Sequence, residues 1–341
     1  MKHFTLIVFL FLSFTMQSQQ SDFSHINFNK ADSIAKVYEG ESLNNLPLLA
    51  YKLTHHLNTQ VEEFRAIHTW VCSNIESDHS FGEKTLRKRR KYKTDSIAFY
   101  DWNTEVQAKV FKRLLKDKKT ICSGYAYLLK ELSALVDIKC EIVDGYSRTV
   151  NTNIDEVDFP NHSWNVVQLN NKWYLVDATL ASGFFYVNEN IFIKNYNDGY
   201  FLAKPELFVK NHYPLDEKWI LLETKPTLNQ FVKAPIIYSK IFKHDVIPIA
   251  PQSLQTNVLI GDYVVFKFKI SDKTNIDDIS LFISSSLKYD KIKPTRLNYK
   301  NGFIVVKYRF VKKGNYDVQL LVNKDVVVSY VVKVLKHKIA L

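Results

Sequence analysis

Asn161-His162-Ser163-Trp164-Asn165-Val166-Val167-Gln168-Leu169-Asn170-Asn171-Lys172-Trp173-Tyr174-Leu175-Val176-Asp177 is the stretch on which the fold turns. Its two apolar runs, 164–169 and 172–177, flank Asn170-Asn171, a two-residue link suited to a tight antiparallel hairpin. A short hairpin brings its outer ends together, so His162 and Asp177 are predicted to be neighbours. Residues 140–146 have the same strand character.

Upstream the period changes. Val61, Phe64, Ile67, His68, Val71 and Ile75 recur at helical spacing and predict a helix with one buried face. Residues 106–115 and 123–135 read as further helices, and 22–59 is polar and helix-compatible, most clearly at 32–38. Arg87-Lys88-Arg89-Arg90-Lys91-Tyr92-Lys93 is a charge run, expected to be a solvated loop rather than a recognition site. Helices first and an antiparallel sheet afterwards indicate an α+β domain.

Downstream of about Lys233 the texture is different again. Val264, Phe266, Phe268 and Ile270 alternate with Val265, Lys267 and Lys269, and Ile304, Val306, Tyr308 and Phe310 with Val305, Lys307 and Arg309. Such period-two runs, repeated at 279–284, 316–322 and 326–335, predict a β-sandwich with one wet face per sheet. The division expected is a leader over 1–20, an α+β domain over 21–232 and a β-sandwich over 233–341, with the joint at 234–248.

The leader is read from Met1-Lys2-His3, an apolar run from Phe4 to Phe14, and polar Gln17-Ser18-Gln19-Gln20. That is the layout of a secretory signal peptide, and the run is shorter than the roughly 20 apolar residues that span a bilayer. The mature chain is therefore expected to be exported, periplasmic or extracellular, with no transmembrane segment.

Composition narrows the partners. With 46% hydrophobic residues and only 9 Gly and 9 Pro in 341, the chain is neither disordered nor collagen-like, and three cysteines are too few for a disulfide scaffold. The net charge of +11 looks like a nucleic-acid signature until it is located. All of it lies in residues 231–341; the first 230 residues carry as many acidic as basic groups. Nucleic acid is not an expected partner, whereas anionic cell-envelope polymers suit the basic C-terminal part.

Three residues carry candidate chemistry. Cys122 begins a predicted helix in Thr120-Ile121-Cys122-Ser123-Gly124-Tyr125-Ala126, where the helix dipole and free N–H groups favour thiolate and can serve an oxyanion. His162 and Asp177 add a base and a carboxylate to orient it, completing the parts of a covalent acyl-transfer site. Cys72 and Cys140 are left either as a bridge or as two separate buried thiols. No CxxC, HExxH or Gly-rich phosphate loop occurs, so no metal or cofactor is expected.

Cys-Ser-Gly-Tyr-Ala, His-Ser-Trp-Asn-Val-Val and Trp-Tyr-Leu-Val-Asp-Ala-Thr, in that order, resemble the transglutaminase-like core, a papain-type Cys-His-Asp superfamily. Residues 66–75 resemble its first core helix. Residues 200–206 and 212–222 resemble the kyphoscoliosis-peptidase branch, from which the sequence departs at Leu180. The resemblance covers roughly residues 50–225. It implies a papain-like core of helices on an antiparallel sheet, followed here by an Ig-like sandwich. It also implies Cys122 as nucleophile, His162 as base and Asp177 as orienting acid. A cysteine peptidase or amidase acting through a thioester is the expected function. A transglutaminase, or a catalytically silent scaffold using the same fold, is the alternative.

Overall fold

The computed structural model describes residues 19–149, 159–186, 189, 191–271, 274–285, 288–292 and 302–336. Of the expected signal peptide, residues 1–18 lie outside them. Polar side chains start most helices of the N-terminal half. After α1 (Asn29–Val37), α2 (Leu46–Thr54) begins where the Asn45 side chain accepts from the Leu48 N–H at 3.0 Å. α3 (Gln60–Asn74) begins where the Thr59 hydroxyl accepts from the Glu62 N–H at 3.3 Å. All six positions read as the apolar face of that region, from Val61 to Ile75, are buried.

β1 (Glu76–Ser77) leads to α4 (His79–Lys91), capped by Asp78, and α5 (Ser96–Asp117), capped by Asp95. Here one expectation is corrected. The charge run at 87–93 is not a loop as far as Lys91: it forms the end of α4, because Lys and Arg are good helix formers and cations suit a helix C-terminus. β2 (Lys119–Thr120) pairs in parallel with β1 and is followed one residue later by α6 (Cys122–Ala134).

The sheet that α6 covers is built from β3 (Cys140–Ser147), β4 (His162–Leu169) and β5 (Lys172–Val176). β4 and β5 form the expected hairpin, with Asn170 and Asn171 at φ 50° and 61°, the conformation of a type I′ turn. Next come α7 (Ala178–Ser182), the hairpin β6 (Gly183–Tyr186) and β7 (Ile191–Lys194), α8 (Pro205–Phe208) and β8 (His212–Pro214). β8 completes an antiparallel sheet of order β5-β4-β3-β8. Leu128, Leu129 and Leu132 of α6 are fully buried, each stabilising the helix on the sheet by roughly 2 kcal/mol of apolar transfer.

The segment expected as a joint is itself structured. After α9 (Leu228–Lys233), β9 (Ile236–Ile237) pairs with a later strand, α10 (Lys240–His244) follows, and β10 (Val246–Ala250) is an edge strand. The remaining strands are β11 (Gln255–Leu259), β12 (Tyr263–Ile270), β13 (Ile279–Ser285), β14 (Lys288–Ile292), β15 (Phe303–Arg309), β16 (Gly314–Val322) and β17 (Asp325–Leu335). They make one sheet of order β10-β12-β15 and a second of order β11-β17-β16-β13-β14, with β9 also on β17. Val264, Phe266, Phe268 and Ile270 all point inward, and the Phe266 ring lies 5.4 Å from Tyr330 of the opposite sheet. The C-terminal region is therefore β-rich, two sheets sharing a dry interior as the alternation predicts. β11 runs parallel to β17, which the sequence pattern did not suggest. Arg148, buried with no carboxylate of the described residues paired to it, ties the end of β3 to this region. It donates to the Phe231 carbonyl at 2.6 Å and the Ala234 carbonyl at 2.9 Å.

Candidate active site

Cys122 is the first residue of α6, and two close contacts fix that first turn. No side chain caps the helix at Ile121, while the Tyr125 hydroxyl donates to the Ile75 carbonyl at 2.9 Å and pins α6 to the end of α3. Gly124 is required where β2 passes beneath: a Cβ there would lie 1.8 Å from Thr120 Oγ1. Thr120 is buried and its hydroxyl has no hydrogen-bond partner, so it serves as packing at this point.

The hairpin delivers the other two residues. His162 opens β4, Asp177 follows β5, and His162 Nε2 lies 2.7 Å from Asp177 Oδ2. That bond leaves Nδ1 of the ring uncommitted, and both His162 and the Ser163 backbone act to lower the Cys122 thiol. Asp177 is wholly buried and fixed through both oxygens. Its Oδ1 accepts from the Leu180 N–H at 2.9 Å, capping α7, while Oδ2 faces the imidazole.

A fourth residue, not among the sequence-derived candidates, meets the same carboxylate. His212 on β8 places Nε2 2.9 Å from Asp177 Oδ2, and its Nδ1 lies 2.7 Å from Asn211 Oδ1. Its ring stacks on Phe208 at 3.8 Å and meets Trp164 edge-on at 5.1 Å. β8 comes this close because position 145 is glycine: a Cβ there would lie 2.2 Å from the Tyr213 carbonyl and 2.6 Å from the Trp164 ring. That glycine, and His212 itself, are the signals that could have found the fourth residue.

Electrostatics separate these groups. Burial alone would raise the Cys122 thiol and lower the His162 imidazole. The hydrogen bond between them, the Asp177 charge on His162 and the Arg89 charge on Cys122 outweigh it. His162 is raised to about 10 and Cys122 is lowered below an ordinary thiol, so the pair favours thiolate and imidazolium. Asp177 is held well below the usual carboxylate range, burial being outweighed by the charge of and hydrogen bonds from its two histidines. At His212 burial, helped by the nearby His162 charge, outweighs the hydrogen bond and charge of Asp177, and the ring falls to about 4.

The other cysteines lack this activation. Cys72 and Cys140 are separate buried thiols, so the bridge left open by the sequence is not formed. Cys72 Sγ sits 3.6 Å from His68 Nε2, one turn away on α3, which superficially repeats a thiol–imidazole pair. Burial there wins on both partners: His68 is pushed down to about 3 and the Cys72 thiol well up. Cys140 is pushed up to about 12 by burial. Of the three thiols, only Cys122 is poised to ionise.

His162, Asp177 and His212 also form the one group of three metal-type donors among the described residues, with donor atoms within 4.8 Å of one another. Both imidazole nitrogens face the same carboxylate oxygen at hydrogen-bond distance, so the donors are directed at each other rather than at a shared ion.

Comparison with known proteins bears on the fold that carries these residues. Residues 48–178 match the transglutaminase-like superfamily, a span that includes Cys122, His162 and Asp177. The chain carries a transglutaminase-like core. Over 305 residues it is 28% identical to the kyphoscoliosis peptidase of Homo sapiens, covering 85% of this chain and 41% of that protein. It is 27% identical to the kyphoscoliosis peptidase of Mus musculus, with the same coverage of both chains. Hillarin of Drosophila melanogaster is 23% identical over 280 residues, 78% of this chain and 31% of that one. The chain thus spans about two fifths or less of the length of these relatives, and the transglutaminase-like core accounts for only part of each alignment.

Proposed function

We propose that the protein is a cysteine-dependent acyl-transfer enzyme acting on amide bonds of proteins or peptides, with hydrolysis as its reaction. One observation carries the reading: among three thiols, the one at the start of α6 is the one lowered, and the imidazole that lowers it is itself raised to about 10. Cys122 Sγ attacks the amide carbon and the imidazolium of His162 protonates the leaving amine, giving a thioester and a neutral base. A water molecule, deprotonated by His162, then attacks the thioester; the acid leaves and the thiolate–imidazolium pair is restored. Asp177 orients the ring and stabilises its charge. The N–H groups of the uncapped α6 terminus are the donors at hand for the oxyanion. Transfer of the acyl group to an amine, the transglutaminase reaction, differs only in the second nucleophile.

The apolar run at 4–14 supports action after export, and the basic surplus of residues 231–341 supports attraction to anionic envelope polymers. Peptide and protein libraries incubated with wild type and Cys122→Ala, with and without a fluorescent primary amine, test the reading by mass spectrometry. New termini formed by wild type alone are expected. Amine incorporation without cleavage reassigns the reaction to transfer, and equal product from both proteins leaves only the scaffold alternative.

A further inference from the structure

Five consecutive cations, Arg87 to Lys91, end α4, and one of them is turned away from the others. Gly82, Thr85 and Arg89 are spaced three and four residues apart and share a helix face. Thr85 is buried, and a Cβ at Gly82 would meet Ile121, the neighbour of Cys122, at 3.6 Å. Arg87, Lys88, Arg90 and Lys91 are exposed, whereas Arg89 is half-buried. Its Nη1 donates to the Pro160 carbonyl at 3.3 Å, two residues before His162. Its Nε is buried with no hydrogen-bond partner. The guanidinium thus lies between the helix that covers Ile121 and the turn that delivers His162, with no carboxylate of the described residues paired to it.

A partly desolvated cation with an unused N–H calls for an anion, and a guanidinium fork fits a carboxylate. We propose that Arg89 is the anion-recognising residue of the Cys122 site, selecting acyl substrates that carry a carboxylate beside the reacting carbonyl. The inference rests on the reading of Cys122 as nucleophile. Two sources supply that chemistry, an Asp or Glu side chain next to the bond and a free C-terminal carboxylate. Arg89 also acts on the thiol directly, its charge favouring thiolate. A test must separate that general effect from recognition of a bound anion.

Alkylation of Cys122 with iodoacetate and with iodoacetamide makes that separation, because the ratio of the two rates cancels the thiolate fraction. Arg89→Gln is expected to lower the iodoacetate-to-iodoacetamide ratio by about fivefold, the size of one partly screened ion pair, and Arg89→Lys to retain most of it. An unchanged ratio in Arg89→Gln overturns the proposal. A Cys122 that reacts with neither reagent faster than an ordinary thiol instead overturns the nucleophile reading. On the unaltered protein, glutarate is expected to slow iodoacetamide saturably and glutaramide not; equal effects of the two overturn the proposal independently of any variant. If the library assay gives cleavage, peptides with Glu against Gln beside the bond, and with free against amidated termini, distinguish the two carboxylate sources. No preference in either comparison refutes it.

Discussion

His162 and His212 hydrogen-bond to the same oxygen of Asp177, at 2.7 and 2.9 Å, yet their protonation is driven apart. His162, though buried, gains both the Asp177 charge and the Cys122 hydrogen bond and rises to about 10; His212, where burial dominates, falls to about 4. At pH 7 the ring-nitrogen NMR signals are expected to show His162 doubly protonated and His212 neutral. The consequences for stability have opposite signs. The contribution of His162 is complete below about pH 6.5, its unfolded value, and fades as pH rises toward 10. That of His212 is complete above about 6.5 and fades as pH falls toward 4. Two neutral rings at pH 7 would contradict this arrangement.

Alkylation of Cys122 should lose rate at a lower pH than that of an ordinary thiol. A thiol of pKa about 8.5 slows tenfold for each unit below it. Cys122, lowered and paired with imidazolium, is expected to keep more of its iodoacetamide rate than such a thiol between pH 8 and pH 6, followed by peptide mapping. A tenfold fall per unit across that range would show that the pair is not ionised.

Asp177→Asn separates the charge of that residue from its structural duty. Asparagine caps helices about as well as aspartate, so α7 is retained. Without the carboxylate, His162 loses the charge that holds it protonated, and the thiol rises with it. At pH 6.5 the Cys122 alkylation rate is expected to fall at least about tenfold, with circular dichroism unchanged, since each pKa unit is a factor of ten. A rate within about twofold of wild type would remove Asp177 from the account of thiol activation.

Gly124→Ala should damage the site by geometry alone. The new Cβ falls on Thr120 Oγ1, so the first turn of α6 must lift from β2. Destabilisation by about 1–3 kcal/mol, read from urea unfolding, and slower alkylation are expected. Adding Thr120→Ala should restore part of both losses, because the Thr120 hydroxyl makes no hydrogen bond while its Cβ stays 2.8 Å from the new one. Additive losses in the double variant would place the strain elsewhere.

Arg148→Met leaves the buried Ala234 carbonyl without its side-chain donor and the Phe231 carbonyl with only the Ala234 N–H. A loss of about 2–4 kcal/mol is expected from unfolding curves, with Cys122 alkylation little changed. Full stability in this variant would mean that the tie between β3 and the C-terminal region is dispensable.

Much of this architecture was legible before the structure. The Asn170-Asn171 link and its two apolar runs specify a hairpin, and hairpin geometry alone brings His162 to Asp177. The period of α3 named its buried positions correctly, and the alternation at 264–270 named the inward face of β12. The parts that escaped have physical reasons. β8 is three residues long, too short for any period to show, so His212 arrives on an element that local pattern cannot announce. The 87–93 run reads as solvent-facing because charge outweighs helical propensity by eye, and nothing local reveals that Arg89 alone turns inward. The parallel pairing of β11 with β17 joins segments some 75 residues apart, a register set by packing rather than by turns.

The double duty of Asp177 has a consequence for reading relatives of this chain. Because one of its oxygens caps α7 while the other is shared by two buried rings, the residue is retained by folding whether or not any reaction takes place. A descendant that had given up chemistry for binding would keep aspartate there and pass for an enzyme on that count. Cys122 caps no helix and fills no core position, so it is free to drift once turnover ceases. The amino acid at 122, more than the survival of its partners, distinguishes a working member from a retired one.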